Sequence, residues 1–177
     1  IYEQICNSQI YERFFSFFLV LLLSFSSLPS AFALETGVKA PDFELKDVDG
    51  NSVRLADFAG GGPVILKLAT TWCPTCRQMT EELVEVAPRL AERQVTVVEV
   101  FLQVSESMVR DFFRGKGLGN LRHVVLLDDG QVVKAYDVYL IPRTLFLDAE
   151  LKVVRDAGMV PGRDILRQIE EMSAGKK

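Results

Sequence analysis

Thr70-Thr71-Trp72-Cys73-Pro74-Thr75-Cys76-Arg77 (TTWCPTCR) holds two of the three cysteines in a chain of 177 residues, beside its only tryptophan. A pair with two residues between can be a redox couple, half of a zinc site, a haem attachment point, a copper site or a structural bridge. The flanks choose among these. Before the pair, Val64 to Ala69 (VILKLA) is an apolar run of buried-strand length, broken only by Lys67. After it, Met79, Leu83, Val86 and Leu90 recur on one face of a helix that opens at Pro74, a position where a missing N–H costs nothing. Pro88 is expected to bend or end that helix.

The pair therefore sits where a strand feeds a helix. Two intervening residues at a helical start bring the sulfurs within disulfide reach. The unpaired N–H groups and the positive end of the helix dipole are expected to stabilise a thiolate at Cys73. Cys76, one turn in, is expected to be shielded and less acidic. Cys73 then attacks a substrate disulfide and Cys76 resolves the mixed disulfide. A structural zinc site wants four ligands, and beyond residue 33 the chain offers only these cysteines and His123. Haem attachment needs a histidine after the second cysteine, where Arg77 stands. A structural bridge closing a two-residue loop would constrain the unfolded chain little.

Working outward, Ala40 to Leu45 alternates into Asp49-Gly50, a hairpin signal, with Ser52 to Leu55 returning. Val95 to Val104 reads as a strand. Ser105 caps a helix carrying Met108, Val109, Phe112 and Phe113. His123 to Leu127 is a further strand, and Gln131 to Tyr136 a short helix. Thr144 to Leu147 and Leu151 to Asp156 form a closing hairpin, and Gly162 to Met172 a last helix. Strands alternating with helices before a final hairpin predict an α/β domain with a mixed sheet and helices on both faces.

Trp72-Cys73-Pro74-Thr75-Cys76 at a strand–helix junction, with Ile141-Pro142-Arg143-Thr144 downstream, resembles the thioredoxin fold. Ala40-Pro41-Asp42-Phe43 with its hairpin, Leu55-Ala56-Asp57-Phe58 and Asp128 to Tyr136 (DDGQVVKAY) narrow the likeness. Together they resemble the exported, often membrane-tethered thiol-disulfide oxidoreductases of the TlpA/ResA type, from about Val38 to Met172. The resemblance implies a central mixed sheet flanked by helices, with an extra N-terminal β-hairpin. It implies a cis-proline at Pro142, with Ile141 offering its backbone to substrate. Trp72, Pro74 and Thr75 complete the substrate-binding surface. Arg143 is read either as bordering that groove, attracting acidic partners, or as solvated. No cofactor is expected beyond the Cys73–Cys76 disulfide, and no metal. The implied partners are protein thiols and disulfides and a membrane protein that donates electrons, in a reductant of the cytochrome c or copper-site maturation type.

The chain departs from these relatives in places. Thr75, not proline, precedes the second cysteine, and Met79 stands where relatives often carry glutamate. Lys67 occupies the strand position of thioredoxin's buried acid, and Glu99 that of its lysine, so the signs are exchanged. Lys67 and Glu99 are expected to pair beneath the dithiol, because a lone buried charge is costly. Burial is expected to raise the pKa of Glu99, fitting it for proton transfer with Cys76, while Lys67 favours thiolates. His123 is read as a surface or edge histidine.

Residues 1–33 read as a signal peptide or membrane anchor. Arg13 precedes the apolar Phe14 to Phe25, and Ser30-Ala31-Phe32-Ala33 follows. Either reading places the domain at 34–177 outside the cytoplasm, periplasmic or secreted, touching membrane only through that segment. That domain carries 19 basic against 22 acidic residues and no basic block, so nucleic acid is not an expected partner. The alternative function is copper delivery by a thioredoxin-fold protein of the SCO type, binding soft Cu(I) through the same two thiolates.

Overall fold

The elements run β1 (Glu44–Asp47), β2 (Ser52–Arg54), a 3-10 turn (Leu55–Phe58), β3 (Val64–Ala69), α1 (Pro74–Glu92), β4 (Thr96–Leu102), α2 (Glu106–Phe113), β5 (Arg122–Asp128), α3 (Gln131–Ala135), β6 (Arg143–Leu147), β7 (Val153–Ala157) and α4 (Gly162–Ala174). This computed structural model describes residues 33–174. The expected signal or anchor segment lies outside the described residues, Ala33 apart. Among the described residues no helix is long and apolar enough to cross a membrane.

The sheet has seven strands in the order β2-β1-β5-β4-β3-β6-β7. β3, β4 and β5 are parallel neighbours; β6, β7 and the β1–β2 hairpin join antiparallel. This is the mixed α/β sheet with an N-terminal hairpin that the sequence predicts. β3 and β4 are buried along their whole length, as their near-continuous apolar runs require in a sheet covered on both faces.

The two faces hold different cores. Leu66, Leu68, Val98, Val100 and Leu145 pack on one side with Phe43, Leu55, Phe58 and Tyr136, under the hairpin and α3. On the other side α1 and α4 cover Ile65, Val97 and Phe146 with Met79, Leu83, Leu90, Ile165 and Ile169. Further toward the strand ends on that side, Ala69 and Phe101 pack with Cys73, Cys76, Val109 and Phe112. Between these two apolar groups lies the row of Lys67 and Glu99.

Pro88 does not end α1, which runs on to Glu92. Its ring faces solvent while Val86, Ala87 and Leu90 stay buried, so packing of the inner face outweighs one lost backbone hydrogen bond. At the far end of this helix pair, Gly162 opens α4 against α1. A Cβ there would meet Val86 at 2.8 Å, and its N–H donates to Glu82 at 2.6 Å. The carboxylate thereby occupies the positive end of α4.

Candidate active site: a dithiol at a strand–helix junction

β3 delivers the chain through Thr70 and Thr71 to Cys73, the N-cap of α1, whose backbone is still extended (φ −82°, ψ 118°). An N-cap side chain can accept from the free N–H groups of the first turn, and here a sulfur does so. Cys73 Sγ accepts the Cys76 N–H at 3.1 Å. Both cysteines are free thiols. Cys73 retains 8% exposure and Cys76 none. Burial, and then the hydrogen bond to Cys73, push the Cys76 thiol up to about 12. The Thr70 backbone and the Lys67 charge pull the other way and lose.

The rim is apolar and open. Trp72 is 66% exposed, and Pro74 and Thr75 are exposed beside it. Register pairs Leu68 with Arg143, which sets Pro142 beside Ala69 at the strand end that leads to the cysteines. The Ile141–Pro142 bond is cis. Ile141 packs against the cluster that contains Cys73 and Cys76, and Leu140 stands 79% exposed. The structure thus brings Trp72, Pro74, Thr75, Ile141 and Pro142 around the dithiol.

Arg143 is not solvated, and that reading of it is corrected: it is 7% exposed. It lines a small pocket with Leu140, Pro142 and Asp156. Its guanidinium donates to Asp156 at 2.6 Å and to the Tyr136 carbonyl.

Beneath the dithiol, Lys67 and Glu99 face each other in register on β3 and β4 and pair at 2.5 Å, both fully buried. Lys67 Nζ also donates to Thr80 Oγ1, and Thr80 donates to the Cys76 carbonyl at 3.3 Å. His123 meets the other Glu99 oxygen at 3.1 Å. The expectation of a raised Glu99 pKa is overturned. Burial does push it up, but the Lys67 charge and the His123 hydrogen bond outweigh that and bring it to about 2. Glu99 is held as a carboxylate, a poor resting place for a proton.

Thr80 and His123 escaped the reading of the sequence as partners of this row. The signals were present. Thr80 lies four residues after Cys76, on the same helix face. His123 lies two before Val125, the register partner of Glu99, and so on the same sheet face. Among the described residues no group of three or more His, Cys, Asp or Glu is placed to hold a metal ion.

A helix-capping dithiol, a cis-proline loop beside it and a mixed sheet beneath define a thioredoxin-fold dithiol protein. The chain belongs to the AhpC/TSA family, whose model matches residues 36–156. It is 31% identical over 141 residues to the thiol-disulfide oxidoreductase ResA of Bacillus subtilis, covering 77% of each chain. The thioredoxin domain of a thiol-disulfide oxidoreductase from Bacteroides vulgatus superposes with a TM-score of 0.67 at 26% identity, over 78% of this chain and 97% of that one. An exposed lipoprotein thioredoxin of Streptococcus pneumoniae gives 0.60 at 30% identity, over 74% and 99%. The protein is a thiol-disulfide oxidoreductase of the TlpA/ResA-like kind.

Proposed function

We propose that the protein is an extracytoplasmic reductant of protein disulfides, with Cys73 as nucleophile and Cys76 as resolving thiol. The observation that carries the division of roles is the Cys76 N–H donated to Cys73 Sγ at the helix N-cap. It favours negative charge on the first sulfur, while burial keeps the second protonated. Cys73 attacks one sulfur of the substrate disulfide, and the other leaves as a thiolate that is protonated by solvent. Cys76 then loses its proton, attacks Cys73 Sγ and releases the second substrate sulfur. The protein is left as the Cys73–Cys76 disulfide, which a membrane electron donor reduces. Trp72, Pro74, Thr75, Ile141 and Pro142 form the surface on which an extended segment of substrate lies.

The reducing direction, the role in cytochrome c or copper-site maturation and the place outside the cytoplasm rest on the kinship with ResA and on the apolar segment before Ala33. The name of the pneumococcal relative, an exposed lipoprotein, points the same way.

Trapping tests the roles. Cys76→Ser should accumulate a mixed disulfide at Cys73 when mixed with a disulfide-bonded protein, read by mass after acid quench. Cys73→Ser should form none and turn over no substrate. Adducts on Cys76 in place of Cys73 would reverse the assignment.

A further inference from the structure

Lys67, Glu99 and Thr80 are sealed from solvent, but the row does not end there. His123, on β5, keeps 13% of its side chain exposed and lines a groove of about 550 Å³ between α2 and β5. Its ring lies edge-on to Phe113 at 5.2 Å. Because Glu99 is a carboxylate that only accepts, His123 Nε2 must be the donor in their hydrogen bond. Nδ1 is then the nitrogen left to gain or lose a proton.

We propose that His123 is a positioning residue of the exchange reaction, which sets the charge of the row beneath Cys76 through Glu99. The inference rests on Cys73 and Cys76 being the reacting pair. With Nδ1 unprotonated, Lys67 and Glu99 cancel and the row is neutral. With Nδ1 protonated, Glu99 is shared between two cations and the row carries one net positive charge. That charge acts in the direction in which Lys67 already acts on Cys76. In the resolving step the Cys76 S–H loses its proton to solvent base. The sulfur's electron pair attacks Cys73 Sγ, the bond from Cys73 to substrate breaks, and the substrate sulfur departs with that bond's electrons. A positive row favours the Cys76 thiolate that this step needs. Imidazole is the one side chain of the row whose charge ordinarily changes between pH 5 and 8.

The other charges near His123 are already held. From α2, Arg110 is bound to Glu106 and Asp49, and Arg114 to Asp111. After α2, Lys116 donates to the Phe112 carbonyl and sits over its ring. Glu99, from β4, is the charge in direct contact, with Lys67 of β3 behind it.

Because Cys76 stays a thiol at rest, the charge on His123 is read in the resolving step, where the Cys76 thiolate forms. The chain has one histidine, so its imidazole resonances assign themselves. NMR titration of the whole domain in the dithiol form gives the His123 midpoint directly, and the inflection in the resolving rate should coincide with it. In the same samples, the resolving rate of the parent should show an inflection between pH 5 and 8. His123→Gln keeps an N–H donor but cannot titrate, and should lose that inflection. Parent and variant sharing one pH profile, with no inflection at the His123 midpoint, would overturn the inference. A parent that reduces no disulfide at all sinks the reading of the cysteines as well, and so separates the two failures.

Discussion

The two cysteines stand one helical turn apart and belong to different regions. Around Cys73 the rim is largely apolar, with Trp72, Pro74, Thr75 and Leu140 exposed, Ile141 half-buried and Pro142 buried beneath them. Beneath Cys76 the row of Lys67, Glu99, Thr80 and His123 is polar, charged and almost wholly buried. The difference separates two tasks. The rim has little to do with holding the fold, so it is free to meet other proteins. The row carries charges in a place where each must be matched, so stability and chemistry are coupled there.

The comparison breaks most visibly if the row is unpaired. Glu99→Ala leaves Lys67 buried without its carboxylate, and should cost about 3–5 kcal/mol in chemical denaturation. Lys67→Met with Glu99→Leu removes both charges, and should recover most of that loss. If Glu99→Ala costs no more than a surface change, the row is not what the distances say.

Acid sharpens the same point. The Glu99 carboxyl is depressed from 4.5 to about 2, so its contribution to stability is present in full above 4.5. Between those values the unfolded chain binds a proton that the native chain does not. Stability should therefore fall progressively from about pH 4.5 to about pH 2. The Lys67→Met, Glu99→Leu variant should show a shallower decline over that window.

The rim should give the smallest effect on folding and a clear one on function. Trp72→Ala and Leu140→Ser should each change stability by about 0.5 kcal/mol or less, as exposed positions do. Both should raise KM for a protein disulfide several-fold while leaving kcat for a small disulfide unchanged. A large loss of stability would place these side chains in the core instead.

The sequence made much of this legible through local patterns. The Cys-x-x-Cys at a strand–helix junction, the period of α1 and the Pro142 motif each lie within a few residues. The Lys67–Glu99 pair was legible too, because two charges in otherwise apolar strands have to meet something. What stayed hidden depends on three-dimensional neighbours. Glu99 is depressed by the Lys67 charge first and then by His123, which reaches it from a third strand 24 residues away. A solvated Arg143 was an open reading because nothing local to Pro142 shows Asp156, which reaches it from β7 and holds it buried. Pro88 looked like a helix end because propensity cannot see the buried face it shares.

The proposed reducing direction has a physical basis in Cys76: burial holds its thiol up, so the reduced form gains no second thiolate. The most direct test is the reduction potential of the Cys73–Cys76 couple, by equilibration of the domain in defined thiol buffers. The predicted value is near thioredoxin's, roughly −270 mV. A value at or above roughly −180 mV would mark an oxidant or isomerase and contradict the claim.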